Sequence, residues 1–119
     1  MRRNAGRQPE DRISGLPGFD AFEANVQSLL GWCREHKLSG GVLLVRIDKF
    51  DSLRERYGVA GCQAVVKRMS AILCRSVRDI DLTCQVSAQT FGLVLQDLNS
   101  ESGERMASTI RDAIANSRF

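Results

Sequence analysis

Leu82-Thr83-Cys84-Gln85-Val86-Ser87-Ala88-Gln89-Thr90-Phe91-Gly92-Leu93-Val94-Leu95 holds two short apolar, strand-forming runs, Leu82 to Val86 and Phe91 to Leu95. Only Ser87 to Thr90 separate them, which is hairpin spacing, although the turn lacks the glycine such turns favour. Upstream, Val42-Leu43-Leu44-Val45-Arg46-Ile47 follows Ser39-Gly40-Gly41. It is too short for a helix and rich in branched residues, and it reads as a buried strand. Three such strands need helices to shelter them. The periodicity supplies these from Asp20, which can cap a helix carrying Phe22, Val26, Leu29, Leu30 and Cys33 as far as His36. A short helix then uses Phe50, Leu53 and Tyr57 and stops at Gly58. A longer one runs from about Ala60 to Val77, with Cys62, Val65, Val66, Met69, Ile72 and Leu73 on one stripe. A last one, capped by Asn99, Ser100 or Ser102, turns Met106, Ile110, Ala113 and Ile114 inward. The order α-β-α-α-β-β-α predicts an α+β domain with helices on one face of a small antiparallel sheet.

With 119 residues, 43% hydrophobic and 26% charged, the chain fits one small domain with a single core. Residues 1–12 are polar and aperiodic and read as a flexible tail before a domain over 13–119. That tail holds Arg2, Arg3, Arg7 and Arg12, so the net charge of +3 leaves the body nearly neutral and gives no sign of DNA binding. No apolar run approaches the roughly 20 residues that span a bilayer, and no signal peptide is recognisable, so a cytoplasmic protein without a membrane span is expected. Cys33, Cys62, Cys74 and Cys84 form no CxxC pair, and His36 alone cannot complete a common zinc site with them. Neither a metal nor a cofactor is expected. Gly58-Val59-Ala60-Gly61 lacks the lysine of a phosphate loop and follows a helix, so it reads as a helix-helix turn. Ser14, Ser87 and the cysteines have no histidine in a triad-like arrangement.

Three stretches resemble the GGDEF domain family, the bacterial diguanylate cyclases and their relatives. Asp11-Arg12-Ile13-Ser14-Gly15-Leu16-Pro17-Gly18-Phe19-Asp20-Ala21-Phe22 is similar to the family's opening D-x-L-T-G-L-P-N-R-x-x-F. Leu43 to Gln63, LLVRIDKFDSLRERYGVAGCQ, resembles its first strand and following turn. Arg78 to Phe91, RDIDLTCQVSAQTF, stands where the family has R-x-x-D-L-x-x-R-x-G-G-D-E-F. The resemblance implies a nucleotidyl-cyclase palm, ferredoxin-like in character. It also implies a C-terminally truncated one, because such domains continue through another strand, a helix and a closing hairpin.

In the family, magnesium ions held by carboxylates assist phosphoryl transfer between two GTP molecules. By resemblance, the first metal-binding Asp corresponds to Arg46 and the hairpin Asp to Gln89. The neighbouring acid corresponds to Thr90, the paired glycines to Ser87 and Ala88, and the guanine-recognising Asn and Asp to Arg54 and Gln63. A guanidinium cannot ligate magnesium. These substitutions imply a degenerate member with no catalytic residues, a pseudoenzyme and not an enzyme. The family's inhibitory R-x-x-D site is retained as Arg78 and Asp81, with Arg105 as a further basic contact and Arg75 or Arg111 available to phosphate. An arginine fork can bond guanine O6 and N7, and an aspartate can accept from N1 and N2. The expected function is therefore a cyclic di-GMP receptor in signal transduction. The alternative is an interaction or dimerisation module that binds no nucleotide. Truncation would leave strand 42–47 as an unpaired apolar edge, which predicts a homodimer or a protein partner there.

Overall fold

The computed structural model describes residues 14–117; the expected tail 1–12 and the start of the Asp11 motif lie outside the described residues. The elements are α1 (Phe19–His36), β1 (Gly41–Arg46), α2 (Phe50–Ser76), β2 (Leu82–Gln85), β3 (Thr90–Leu95) and α3 (Ser100–Ala115). The expected pair of helices after β1 forms one element with a break, because Gly58 holds φ 73° and ψ −176° within it. That left-handed φ suits glycine, which has no Cβ to clash. Helix α1 begins after Gly18 with no side-chain cap, so the cap expected from Asp20 is corrected: Asp20 lies in the first turn, where its charge suits the helix dipole. Asn99 caps α3 as expected, its side-chain oxygen accepting from Ser102 N–H at 2.8 Å.

The sheet is antiparallel in the order β1-β3-β2. Phe91, Leu93 and Leu95 point from β3 into a core with Ile47, Phe50, Cys62, Val66, Met69 and Leu73, sealed by Leu98 and Ile110. Gly92 faces the other way, and a Cβ there would lie 2.5 Å from the Phe22 ring of α1. Helices therefore flank both faces, not one: α2 and α3 on the core face, α1 on the other. An amphipathic stripe tells a helix to bury one side but not which face of a sheet to choose.

β1 corrects a second expectation. Its run of apolar residues reads as buried, yet Val42, Leu44 and Arg46 are exposed while Leu43 and Val45 turn toward the core. Helix α1 covers β2 and β3 but stops short of this edge.

Candidate functional site

The chain leaves α2 at Ser76 and enters β2 at Leu82 through the turn Arg78-Asp79-Ile80-Asp81. Asp81 N–H donates to Arg78 C=O at 3.0 Å, closing the turn. The Asp81 carboxylate returns to the start of the turn and accepts from Arg78 N–H at 2.9 Å, Nε at 2.9 Å and Nη2 at 2.8 Å. Two parallel guanidinium bonds make this the fork geometry that strengthens Arg–carboxylate pairs. Nη2 also donates to Gln96 C=O at 2.6 Å, and Gln96 N–H donates to Asp81 Oδ1 at 3.3 Å. The pair thus ties the entry of β2 to the exit of β3.

The Asp81 side chain has 0% exposure and that of Arg78 has 39%. Burial alone would push the Asp81 pKa up. The bonds from the Arg78 side chain and backbone, its charge and the Gln96 N–H outweigh that and leave it lowered. Arg78 is raised, chiefly by its hydrogen bond to Asp81. The sequence-predicted pair is therefore brought together, but face to face, with both Asp81 oxygens occupied. Arg105 is held on its own helix, its Nη1 on Glu101 at 2.8 Å and Nη2 on the Ser102 hydroxyl at 3.4 Å.

The positions that the resemblance associates with catalysis fall into two groups. Arg46 and Thr90 are register partners at one end of the sheet, and Ile47 N–H donates to Gln89 C=O at 2.8 Å. Arg54, Gln63, Ser87 and Ala88 line a cleft of about 510 Å³ with Phe50 and Gln85. For magnesium, the sheet end offers a guanidinium, an amide and a hydroxyl, with Asp48 close by in sequence. Asp48 already accepts from Lys49 N–H at 3.1 Å. Among the described residues no group of three or more His, Cys, Asp or Glu is gathered to hold a metal. These donors do not fit a hard cation that prefers carboxylates, and no step is derived through it.

Gln85 was not singled out in the sequence, because within a strand it reads as an ordinary polar residue. Its Nε2 donates to Ser87 C=O at 3.2 Å and Ala88 C=O at 3.4 Å, and its backbone N–H donates to Pro17 C=O at 2.9 Å. It fastens the glycine-free hairpin to the opening loop, with Oε1 buried and unpartnered. Nothing in local spacing announces a bond to Pro17, or the role of Gln96 in the Arg78 turn.

A three-stranded antiparallel palm, with a hairpin and an R-x-x-D turn at its two ends, defines a GGDEF-type signalling domain. The family profile described as "Diguanylate cyclase, GGDEF domain" matches residues 9–119, and the chain belongs to that family. The solved GGDEF domain of DgcB from Caulobacter crescentus, in complex with c-di-GMP, superposes with a TM-score of 0.88 at 13% identity. That match covers 96% of this chain and 68% of that one. An uncharacterised membrane protein of Staphylococcus epidermidis is 26% identical over the whole chain, which spans 33% of that relative. The probable diguanylate cyclase DgcE of Escherichia coli is 23% identical over the whole chain, which spans 11% of it. The chain thus spans a third or less of these curated relatives. No helix of the described residues is long and apolar enough to cross a membrane.

These findings correct the expectation that the chain is not an enzyme: its family and its named relatives are those of diguanylate cyclases. That expectation rested on Arg46 and Gln89. Phosphoryl transfer depends on positioning and on charge spread over a whole site, so two changed ligand positions do not remove a chain from its enzyme class.

Proposed function

We propose that this diguanylate cyclase-type domain binds cyclic di-GMP at the Arg78 turn, in the cytoplasm, as part of a signalling protein. The observation that carries this reading is a half-exposed guanidinium oriented by a fully buried carboxylate. None of the bonds that fix Arg78 uses Nη1. Arg78 is the group that reads guanine O6 and N7, and Asp81 is the positioning residue that holds it flat. This departs from the expectation that Asp81 meets guanine N1 and N2, because its oxygens are already engaged. Arg105, exposed on α3, is the further basic contact proposed for phosphate.

Calorimetry with cyclic di-GMP and, separately, GTP tests the reading. Binding of the dinucleotide is expected, with Arg78→Ala weakening it roughly tenfold to a hundredfold, the worth of a bidentate guanine contact. Asp81→Asn should weaken it less, through lost orientation. Lys67→Ala, which removes an exposed charge on α2, should leave it unchanged. Absence of heat at about 100 μM dinucleotide, an affinity of only about −5.5 kcal/mol, defeats the proposal in favour of a module that binds no nucleotide.

A further inference from the structure

β1 is an edge strand, and its hydrogen-bonding parity is fixed by one contact. Ile47 N–H donates to Gln89 C=O across the sheet, so Val45 and Leu43, at the same parity, also direct their backbone groups toward β3. Val42, Leu44 and Arg46 then direct N–H and C=O to the open edge. Leu44 is also 65% exposed and Val42 43%, so the unsatisfied backbone and the uncovered side chains belong to the same residues.

Beside this edge runs α3. Its residues Gly103, Glu104 and Ala107 line a groove with Gly41, Val42 and Leu43. Ala107, Ile110, Arg111 and Ile114 line the next stretch with Leu43 to Arg46. Ala107 belongs to both stretches and stands abreast of Leu43 and Leu44. The compound edge therefore has an acidic end at Glu104, a basic end at Arg46 and Arg111, and small or apolar residues between.

We infer that this edge binds a second copy of the chain, through antiparallel pairing of β1 with β1 about a two-fold axis at Leu44. That register sets Leu44 against Leu44, Val42 against Arg46 and Leu43 against Val45, so each side chain keeps its face. Each of the outward-facing pairs is one that exchanges both hydrogen bonds. A register centred between two residues would place an inward side chain opposite an outward one. The same axis passes beside Ala107, so the two α3 helices run antiparallel across it and the basic end of each protomer meets the acidic end of its partner. Arg111 then approaches Glu104 of the partner subunit, twice by symmetry, as a closed two-fold interface requires. A partner whose charges did not reverse along the edge would leave both ends unmatched. The product is a continuous six-stranded sheet with its apolar edge covered, the usual remedy for an open strand. This goes beyond the nucleotide proposal and does not rest on it, because no residue of the Arg78 turn takes part.

Light scattering and sedimentation on the whole chain test the inference. At about 100 μM, a hundredfold above a micromolar dissociation constant, a species of twice the chain mass is expected. Leu44→Lys places a charge on the axis and should convert it to monomer, with an unchanged far-ultraviolet circular dichroism spectrum because Leu44 is exposed. Glu104→Arg alone should weaken the dimer about tenfold or more, and Glu104→Arg combined with Arg111→Glu should restore it. A wild-type monomer at that concentration overturns the inference. So does a dimer indifferent to Leu44→Lys, or a charge exchange that fails to rescue. Loss of dimer with nucleotide binding intact, or the reverse, separates this interface from the Arg78 site.

Discussion

Leu44 and Cys84 are partners of the same residue, Gly92, on opposite sides of β3, and both point to the same face of the sheet. Cys84 has 0% exposure and Leu44 has 65%. The more hydrophobic of the two is the exposed one. What separates them is α1, whose Phe22 lies on Gly92 and whose length is spent over β2 and β3. Burial is therefore decided by which strand a helix crosses, not by the side chain's own preference for the interior. The two edges differ in their backbone ties too. β2 is fastened at its entry by Asp81 and at its exit through Gln85 to Pro17, whereas the outer edge of β1 is open.

The sharpest contrast is chemical. Burial pushes the Cys84 thiol up to about 12, whereas Cys74 lies exposed on α2. Only the thiolate reacts with disulfide reagents, and at pH 8 a pKa near 12 leaves roughly one thiol in ten thousand ionised, against about a quarter for an ordinary thiol near 8.5. Timed labelling followed by mass spectrometry should show Cys84 reacting about a thousandfold more slowly than Cys74. Comparable rates would mean that α1 does not stay seated on the sheet.

Removing the cover itself should give the next largest effect. Phe22→Ala takes away the ring over Gly92 and should cost about 3 kcal/mol in urea unfolding, the lower end for Phe→Ala because Phe22 is only partly buried. The same variant should speed Cys84 labelling. If stability falls while Cys84 remains slow, something other than Phe22 shelters β2.

The Arg78–Asp81 clasp tests the other half of the contrast. Asp81→Ala removes charge-assisted bonds to Arg78 and Gln96 and should cost about 1.5–3 kcal/mol. Because its folded pKa is lowered, the carboxylate's contribution is fully present above the unfolded value of about 3.9 and is lost as pH falls through the still lower folded pKa. Stability should decline with acid below about pH 4 in the wild type and less so in Asp81→Asn. Parallel pH profiles for the two proteins would count against the clasp.

Much of this architecture is legible in the residues. The three strands, the hairpin spacing, the break at Gly58 and the Asn99 cap follow from local pattern, since each depends on neighbours within a few positions. The clasp is only half legible: Arg78 and Asp81 can be picked out, but their partner Gln96 is brought in by the β2–β3 pairing. The face chosen by α1 and the openness of β1 are not local at all. Val42 to Ile47 reads as buried because its composition is that of a sheltered strand, and only the position of α1 shows that alternate residues are left uncovered. The enzyme class was misread for a related reason, since a few changed positions were allowed to outweigh a pattern spread over residues 9–119.

The smallest expected effect is at Leu44 itself. In dilute solution, where protomers are separate, Leu44→Thr keeps a β-branched residue in the strand and removes only a side chain that is already mostly in water. Surface changes of this kind fall within about 0.5 kcal/mol, so the urea midpoint of the monomer should hardly move. The contrast with Phe22→Ala is the point: two apolar residues next to Gly92, one above it and one beside it, should differ roughly sixfold in what they contribute to folding. A loss above about 1 kcal/mol for Leu44→Thr, twice that surface range, would show that the outer face of β1 is covered within a single protomer. The comparison between the two edges would then fail, and with it the reason for a second copy to bind there.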